Sequence, residues 1–489
     1  MSEFLKLGAF ELAKKIRKGE ASSREVVDAH IAQVEAVNPL INAMVAQRFE
    51  LARQEAKAAD EAQAKGGELP PLHGVPCSIK ECYAVEGLPQ TGGSIHRKGF
   101  LPERDAVGVR RLREAGAIVL GVTNVPELAM WMESYNKVYG RTCNPFGLGH
   151  SPGGSSGGEA AIVGAGGAPF GLGSDIGGSI RMPALFCGVY GHKPTGGAVP
   201  MTGHFPRSKG IVQRYTTSGP ICRRAKDLMP LLQLLAGPDG EDDYAISFEL
   251  GDPKIELKGR KVYVCDDLGA RFTVGPDYDQ KVALKRAALA LEAKGAQIVP
   301  WSSALFEEAA LIWATMVAEG SEDGAFGEML GGGRRPDYGA EFVKLLAGTS
   351  KYTLPAVIFG AAEALLEKLP KGNTERLMDL GRRLRAEVEG ILADGSLLVT
   401  PTHPRTAPKH DWALLRPIDF IYTGIFNIME VPVTAAPMGL GSSGLPTGVQ
   451  IAAARCQDHL SIGAAMILEK ANGGWSLPVA ALRGGPVGA

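Results

Sequence analysis

The sequence predicts an α/β layer fold around a mostly buried sheet, and three observations predict it. From residue 70 onward, short apolar runs alternate with segments of helical periodicity. The chain has 489 residues, 45% of them hydrophobic, enough for a large core. Neither an internal repeat nor an interdomain linker interrupts it, so one large domain is expected.

Taken in order, residues 22–37 read as an amphipathic helix. Ser22 and Glu25 have capping-box spacing, and Val26, Val27, His30, Ile31 and Val34 recur at helical intervals. His30 reads as a half-buried residue of that helix. A second helix, rich in Ala, Gln, Glu and Lys, is expected over 43–64 and stops at Gly66-Gly67. Residues 1–66 thus form an N-terminal helical arm packed on a catalytic core of residues 67–479, with 480–489 as a fraying tail. Strands are expected at 74–79, 117–122, 170–173, 261–265, 297–300, 397–400, 431–437 and 448–453. Helices are expected at 105–115, 159–164, 225–235, 278–294, 305–319, 374–393 and 458–472. Pro230 falls inside one of them and is expected to break or kink it. The Gly-rich, polar stretch 320–353 reads as loops between apolar helical segments at 305–319 and 354–369, either as ordinary surface or as a variable lid.

Composition excludes several function classes. Lys+Arg is 52 and Asp+Glu is 53, a balance with no general attraction for nucleic acid or an anionic membrane. Seven scattered cysteines argue against a disulfide scaffold and for a reducing compartment. Cys77 and Cys82 have no second Cys/His pair at zinc spacing, so no metal is expected. The N-terminal stretch is too charged for a signal peptide, and no run of 18 apolar residues offers a spanning helix. A cytoplasmic protein without a transmembrane segment is the expectation.

The chemistry concentrates in residues 151–181, SPGGSSGGEAAIVGAGGAPFGLGSDIGGSIR, and in Lys80 at the end of LHGVPCSIK. Attack on an amide carbonyl needs a nucleophile, a base, donors for the oxyanion and an acid for the leaving amine. Ser179 can be the nucleophile. The backbone N–H groups of Ile176, Gly177, Gly178 and Ser179 can converge on an oxyanion, because glycines let the backbone approach closely. No serine has an obvious histidine partner. Lys80 can serve as base if burial keeps it neutral, although alone it reads equally as a snorkelling lysine at a strand end. Ser155 can relay the proton between them, although alone it reads as part of a loop that caps the helix at Glu159.

These residues carry a resemblance. GVPCSIKE, PGGSSGGE and SDIGGSIRMPALFCGVYGHKPT, with the 24-residue step from Ser155 to Ser179, resemble the amidase signature family. GVTNVPELA at 121–129, NPF at 144–146, TSGPICR at 217–223 and PVTAAPMGL…GLPTGVQIAA near the C-terminus fit the same order, over roughly residues 10–475. The resemblance implies a large twisted mixed sheet covered by helices on both faces, and amide hydrolysis without a cofactor. It places the catalytic lysine on Lys80, the bridging serine on Ser155 after a cis Gly154–Ser155 bond, and the acylated serine on Ser179. It makes Ser156, Asp175 and Arg181 supporting residues: Ser156 hydrogen-bonded near Lys80 or Asp175, and Asp175 paired with Arg181. Arg181 has a second reading as a partner for a substrate carboxylate. Met130 and Trp131 are expected to line the acyl pocket, or else to pack in the core.

The strings DIGGSIRMPALFCGVYGHKPT, LLRPIDFIYTGIFNIMEVPVTAAPMGL and LEKANGGWSLPV lean toward the fatty-acid amide hydrolase branch. The apolar stretches 305–317 and 354–366 offer a greasy entry for such a substrate. The expected partner is a small-molecule amide, and a homodimer is compatible with the sequence. The rival within the family is the glutamine-hydrolysing component of the tRNA-dependent amidotransferase. An α/β-hydrolase elbow at 153–157 lacks the apolar strand it needs. A nucleotide-binding module lacks the third glycine after Gly171-Leu172-Gly173, and no phosphate-binding loop motif exists elsewhere.

Overall fold

The strand Pro76–Lys80 shows how the sheet sorts its side chains. It is buried throughout, and its residues alternate between faces. Cys77 and Ile79 enter one apolar layer with Val119, Phe170 and Leu172. Ser78 and Lys80 therefore face the other way, where the Ser78 hydroxyl meets Glu159 on the helix Gly157–Gly164. The residue that ends this strand is thus delivered to the face that carries the serine loop.

The computed structural model describes residues 2–322, 326–366 and 371–478. Among them, eleven strands form one mixed sheet. In chain order these are β1 (Met44–Gln47), β2 (Pro76–Lys80), β3 (Ile118–Thr123), β4 (Phe170–Asp175), β5 (Tyr190–Lys193), β6 (Thr217–Cys222), β7 (Lys261–Val264), β8 (Gln297–Pro300), β9 (Leu397–Pro401), β10 (Val433–Leu440) and β11 (Pro446–Ala452). Their spatial order is β1-β3-β2-β4-β6-β5-β10-β11-β9-β7-β8. The neighbours β3, β2 and β4 run parallel, as do β9, β7 and β8, and antiparallel pairs join the two sets. Ser78 pairs with Gly171 and Ile79 with Leu172. The carboxyl ends of β2 and β4 therefore emerge side by side, where open α/β sheets place their ligands.

Helices cover both faces. Val27, Ile31 and Val34 of the helix Ser23–Ile41 pack with Ile162 and Val163 of Gly157–Gly164. On the opposite face Leu284 and Ala287 of Tyr278–Glu292 and Leu468 of Asp458–Asn472 join the layer of Cys77 and Ile79. A third layer unites Ile312, Trp313 and Met316 of Ala309–Glu319 with Leu384 of Lys371–Leu392 and Ile425 of Ile421–Ile428. No helix among the described residues is long and apolar enough to cross a membrane, and no cluster of His, Cys, Asp or Glu there is placed to hold a metal ion.

Each expected strand is present, 297–300 with the expected bounds and the others with shifted ends, and the structure corrects four other expectations. The helix expected over 43–64 begins as β1, which pairs antiparallel with β3, and only Phe49–Lys65 is helical. Pro230 does not break its helix. It is the third residue of Leu228–Leu235, in the first turn, where a missing N–H costs nothing. The stretch 320–353 is not loop throughout: it holds the helices Phe326–Leu330 and Tyr338–Leu346, the second capped by Asp337, whose side chain accepts from Ala340 N–H. His30 is fully buried, its Nδ1 donating to Val26 O at 2.8 Å. The strands β5 and β6 went unread, and Pro220 in the middle of β6 is the reason for the second. The end of the segment expected over 354–369 and the tail 480–489 lie outside the described residues.

Close packing of β4 on the helix that follows the serine loop gives a first prediction. A Cβ added at Gly171 would collide with the Glu159 carboxylate. Gly171→Ala is expected to lower the unfolding free energy by about 1–3 kcal/mol, seen as a lower urea midpoint at unchanged slope. An unchanged midpoint would contradict that packing.

Candidate active site

Lys80 closes β2, and its side chain is completely buried. Its Nζ lies 2.7 Å from Ser155 Oγ, 2.8 Å from Ser174 Oγ and 3.4 Å from Ser174 O. Among the described residues no carboxylate pairs with this amine. Burial lowers its pKa to about 8, against the pull of Cys82, Asp175 and Glu159 in the other direction. At pH 7 roughly a tenth of Lys80 is therefore a neutral amine, several hundred-fold more than an exposed lysine would offer (about 0.03%). Glu159 does not neutralise it either. Burial pushes the Glu159 carboxyl up to about 7, and its oxygens accept from Ser78 and Thr123 hydroxyls.

Ser155 precedes the helix Gly157–Gly164 by one short turn and follows a cis Gly154–Ser155 bond, as the resemblance implied. Gly154 is required there, because any side chain would run into the Trp131 carbonyl. Ser156 does not bond Lys80 or Asp175 directly. Its hydroxyl donates to Ser174 O at 3.2 Å, between the two, and its N–H donates to Ser179 O at 3.1 Å. This last bond lays the serine loop against the turn that carries Ser179. The Ser179 hydroxyl makes no hydrogen bond among the described residues, and the residue is 9% exposed.

The turn after β4 is held by a buried carboxylate. Asp175 Oδ1 accepts Gly178 N–H at 2.7 Å and Oδ2 accepts Ile180 N–H at 3.1 Å. Gly178 has a φ of 112°, and a Cβ there would strike Thr423 Oγ1, so only glycine fits. The sequence offers Gly178 N–H as an oxyanion donor, and the structure corrects this: it is already spent on Asp175. The N–H groups of Ile176, Gly177 and Ser179 are without a protein acceptor among the described residues. Burial alone would push the Asp175 carboxyl up, but the Arg181 guanidinium, with Lys193 and Asn427, holds it well below the usual carboxylate range.

Arg181 explains why this carboxylate can stay charged. All five of its N–H donors are used: Nε and one terminal nitrogen on Asp175, both at 3.0 Å, and the rest on Thr423 O, Gln450 Oε1 and Asn427 Oδ1. The pair is fully buried. The reading of Arg181 as a partner for a substrate carboxylate is therefore overturned, since it has no donor left to offer. Asn427 also donates to Asp175 at 3.0 Å and to Tyr215 O at 3.0 Å. Sequence reasoning missed Asn427, Thr423 and Gln450, although all lie inside the C-terminal strings that carry the resemblance.

Met130 and Trp131 part company. Met130 packs with Leu128, Phe326 and Tyr352, whereas Trp131 packs with Met132, Met182 and Phe186. A cavity of ≈ 260 Å³ is lined by Met132, Met182, Phe186, His403, Arg405 and Trp412, among others; neither Met130 nor Trp131 is in its wall. Met182 N–H donates to Gly178 O, so this cavity begins one turn beyond the nucleophile turn. On the other side Trp313 Nε1 donates to Ile176 O at 3.0 Å, and the Phe420 ring lies edge-on to Trp313, beside Gly177. Trp313 lies in the apolar stretch 305–317 and Phe420 in a string that carries the resemblance, but neither was singled out from the sequence.

The amidase family model matches residues 25–461. The chain belongs to the amidase signature family, and it is an amide hydrolase. It is 43% identical to fatty-acid amide hydrolase 2-B of Danio rerio, over 97% of this chain and 91% of that one. It is 39% identical to fatty-acid amide hydrolase 2 of Homo sapiens, over 97% of this chain and 90% of that one. Among solved structures, 6-aminohexanoate cyclic dimer hydrolase superimposes with a TM-score of 0.80 at 27% identity, over 96% of this chain and 98% of that one.

Removing Arg181 should cost more stability than a cavity of its size. Arg181→Met would strand a buried carboxylate, and a loss of about 3–5 kcal/mol is expected from urea denaturation. Arg181→Lys keeps the charge without the five-donor fork and should recover only part of it. Equal stability of wild type and Arg181→Met would contradict the role given to the pair.

Proposed function

We propose that the chain hydrolyses a carboxylic amide through an acyl-enzyme on Ser179, with Ser155 as relay and neutral Lys80 as base. The observation that carries this reading is the buried amine of Lys80 lying 2.7 Å from Ser155 Oγ with, among the described residues, no carboxylate paired to it. Ser179 Oγ attacks the carbonyl carbon as its proton passes to Ser155, whose own proton passes to Lys80. The N–H groups of Ile176, Gly177 and Ser179 receive the oxyanion. The C–N bond then breaks as Ser155 protonates the leaving amine and recovers a proton from Lys80. Water repeats the sequence on the ester and releases the acid.

For the substrate we propose a hydrophobic acyl or aryl amide. Support comes from the apolar wall that Met132, Met182 and Phe186 give the cavity and from the likeness to fatty-acid amide hydrolases. The likeness to a glutamyl-tRNA(Gln) amidotransferase component is weaker, at 34% identity. Substrate does not travel with fold, so a panel from acetamide to long-chain N-acyl amines and aryl amides is the test. kcat/KM should rise with acyl length or aryl character. Glutamine as the preferred donor would overturn this half of the proposal.

The mechanism is tested with a fluorophosphonate. The adduct should map to Ser179, and Lys80→Ala should slow labelling by about 100-fold or more. An adduct on Ser155, or undiminished labelling of Lys80→Ala, would refute the assigned roles. The pH dependence has a definite sign. Lys80 is active as the neutral amine, so kcat/KM should rise with pH up to a limb near pH 8 and then level off. A flat profile would contradict a neutral-lysine base.

A further inference from the structure

Ser174 touches the base, and a second group stands behind Ser174. His204 Nε2 lies 2.9 Å from Ser174 Oγ, and its Nδ1 lies 2.8 Å from Pro206 O. A carbonyl oxygen can only accept, so Nδ1 carries a proton and donates it. In a neutral imidazole Nε2 is then an acceptor. Ser174 O–H must donate to Nε2, and its oxygen must accept from Lys80 Nζ at 2.8 Å. The direction of every bond in this chain follows from one carbonyl.

We infer that His204 is a positioning residue that sets the polarity of this hydrogen-bond chain and so aims the lone pair of neutral Lys80 at Ser155. A neutral amine has two N–H groups and one lone pair. Ser174 Oγ and Ser174 O take the two N–H groups, and the lone pair is left for the proton of Ser155. If the Ser174 hydroxyl were free to turn, it would donate to that lone pair and occupy the position Ser155 needs. The inference rests on the Lys80–Ser155–Ser179 reading above.

The ring is built into place. It is nearly fully buried and packs edge-on against Tyr83, with centroids 4.9 Å apart. Tyr83 is itself tied to Gly173 O at 2.9 Å and to Ser218 Oγ at 2.6 Å. His204 N–H donates to Met201 O, and Phe205 N–H donates to Cys82 O at 2.7 Å, two residues beyond Lys80. Burial, with the charge of Lys80 as a lesser cause, lowers the His204 pKa to about 3, which keeps Nε2 an acceptor across the working range. The ionisable groups facing Lys80 are Cys82, Asp175, Glu159 and, through Ser174, His204 and Tyr83. The Cys82 thiol is pushed up to about 12, and Asp175 is held as a carboxylate by Arg181. Glu159 is bound to Ser78 and Thr123, and the Tyr83 phenol, which also meets the Ser174 hydroxyl, is kept protonated by burial, so His204 is the ionisable group here with a free ring nitrogen to accept the Ser174 proton.

The test measures fluorophosphonate labelling rate and the pH profile of kcat/KM in His204→Leu, His204→Gln, Ser174→Ala, His204→Leu/Ser174→Ala and Lys80→Ala. His204→Leu should lose roughly tenfold or more in labelling rate and kcat, with little change in KM. Its acid limb should move to lower pH, because Ser174 then donates to the lone pair and favours the neutral amine. His204→Gln supplies an amide oxygen where Nε2 stood and should recover most of the rate. In the Ser174→Ala background His204→Leu should change the rate less than about twofold, since the two act as one unit. Should His204→Leu fail to fold, the rate and limb of His204→Gln and Ser174→Ala still decide: Ser174→Ala must be slow with a lowered limb. His204→Gln as slow as His204→Leu, multiplying losses in the double variant, or an unmoved acid limb would overturn the inference. Undiminished labelling of Lys80→Ala would instead refute the underlying mechanism.

Discussion

Lys80 ends a strand that is buried on both faces, and its amine meets two hydroxyls and one carbonyl but, among the described residues, no carboxylate. Desolvation of that single group shapes what surrounds it. A carboxylate at contact distance would keep the lysine charged and useless as a base. The nearby acids are accordingly engaged elsewhere: Glu159 with Ser78 and Thr123, and Asp175 with Arg181. The cost of a buried amine is limited because three polar atoms receive it.

The sheet supplies the precision. Parallel pairing of β2 with β4 sets Lys80 beside the turn that carries Ser179, and period-two alternation turns Lys80 toward the helix that follows Ser155. The Ser179 turn is then anchored from the far end of the sequence. Arg181 spends its donors on Asp175, Thr423, Asn427 and Gln450, so the helix Ile421–Ile428 and strand β11 buttress a turn formed 242 to 269 residues earlier in the chain. A charge buried this deeply contributes position more than stability.

Much of this was legible in the residues themselves. GVPCSIKE and the paired Gly-Gly-Ser turns singled out Lys80, Ser155 and Ser179 as candidates, because glycine and a lysine after an apolar run are local signals. The apolar runs 117–122 and 397–400 announced the strands found at Ile118–Thr123 and Leu397–Pro401 for the same reason. What stayed hidden depended on distant partners. β1 reads as helix until β3 pairs with it, and β6 is obscured by its own proline. Ser174 lies in the string that carries the nucleophile, yet nothing local shows that its hydroxyl faces Lys80. His204 is 124 residues from Lys80 and reaches it only because the chain folds back along Cys82 and Tyr83. Gly178 N–H reads as an oxyanion donor because the Asp175 cap that consumes it is a matter of side-chain geometry.

The mechanism stands or falls on the protonation of one side chain. Lysine labelled with ¹³C at Cε, with Lys80→Ala to assign the resonance, allows Lys80 to be titrated directly in the folded protein by NMR. A midpoint near 8 is expected, well below the 10.5 of an exposed lysine. A Lys80 resonance that titrates near 10.5 would leave almost no neutral amine at neutral pH, and the neutral-base mechanism would be wrong.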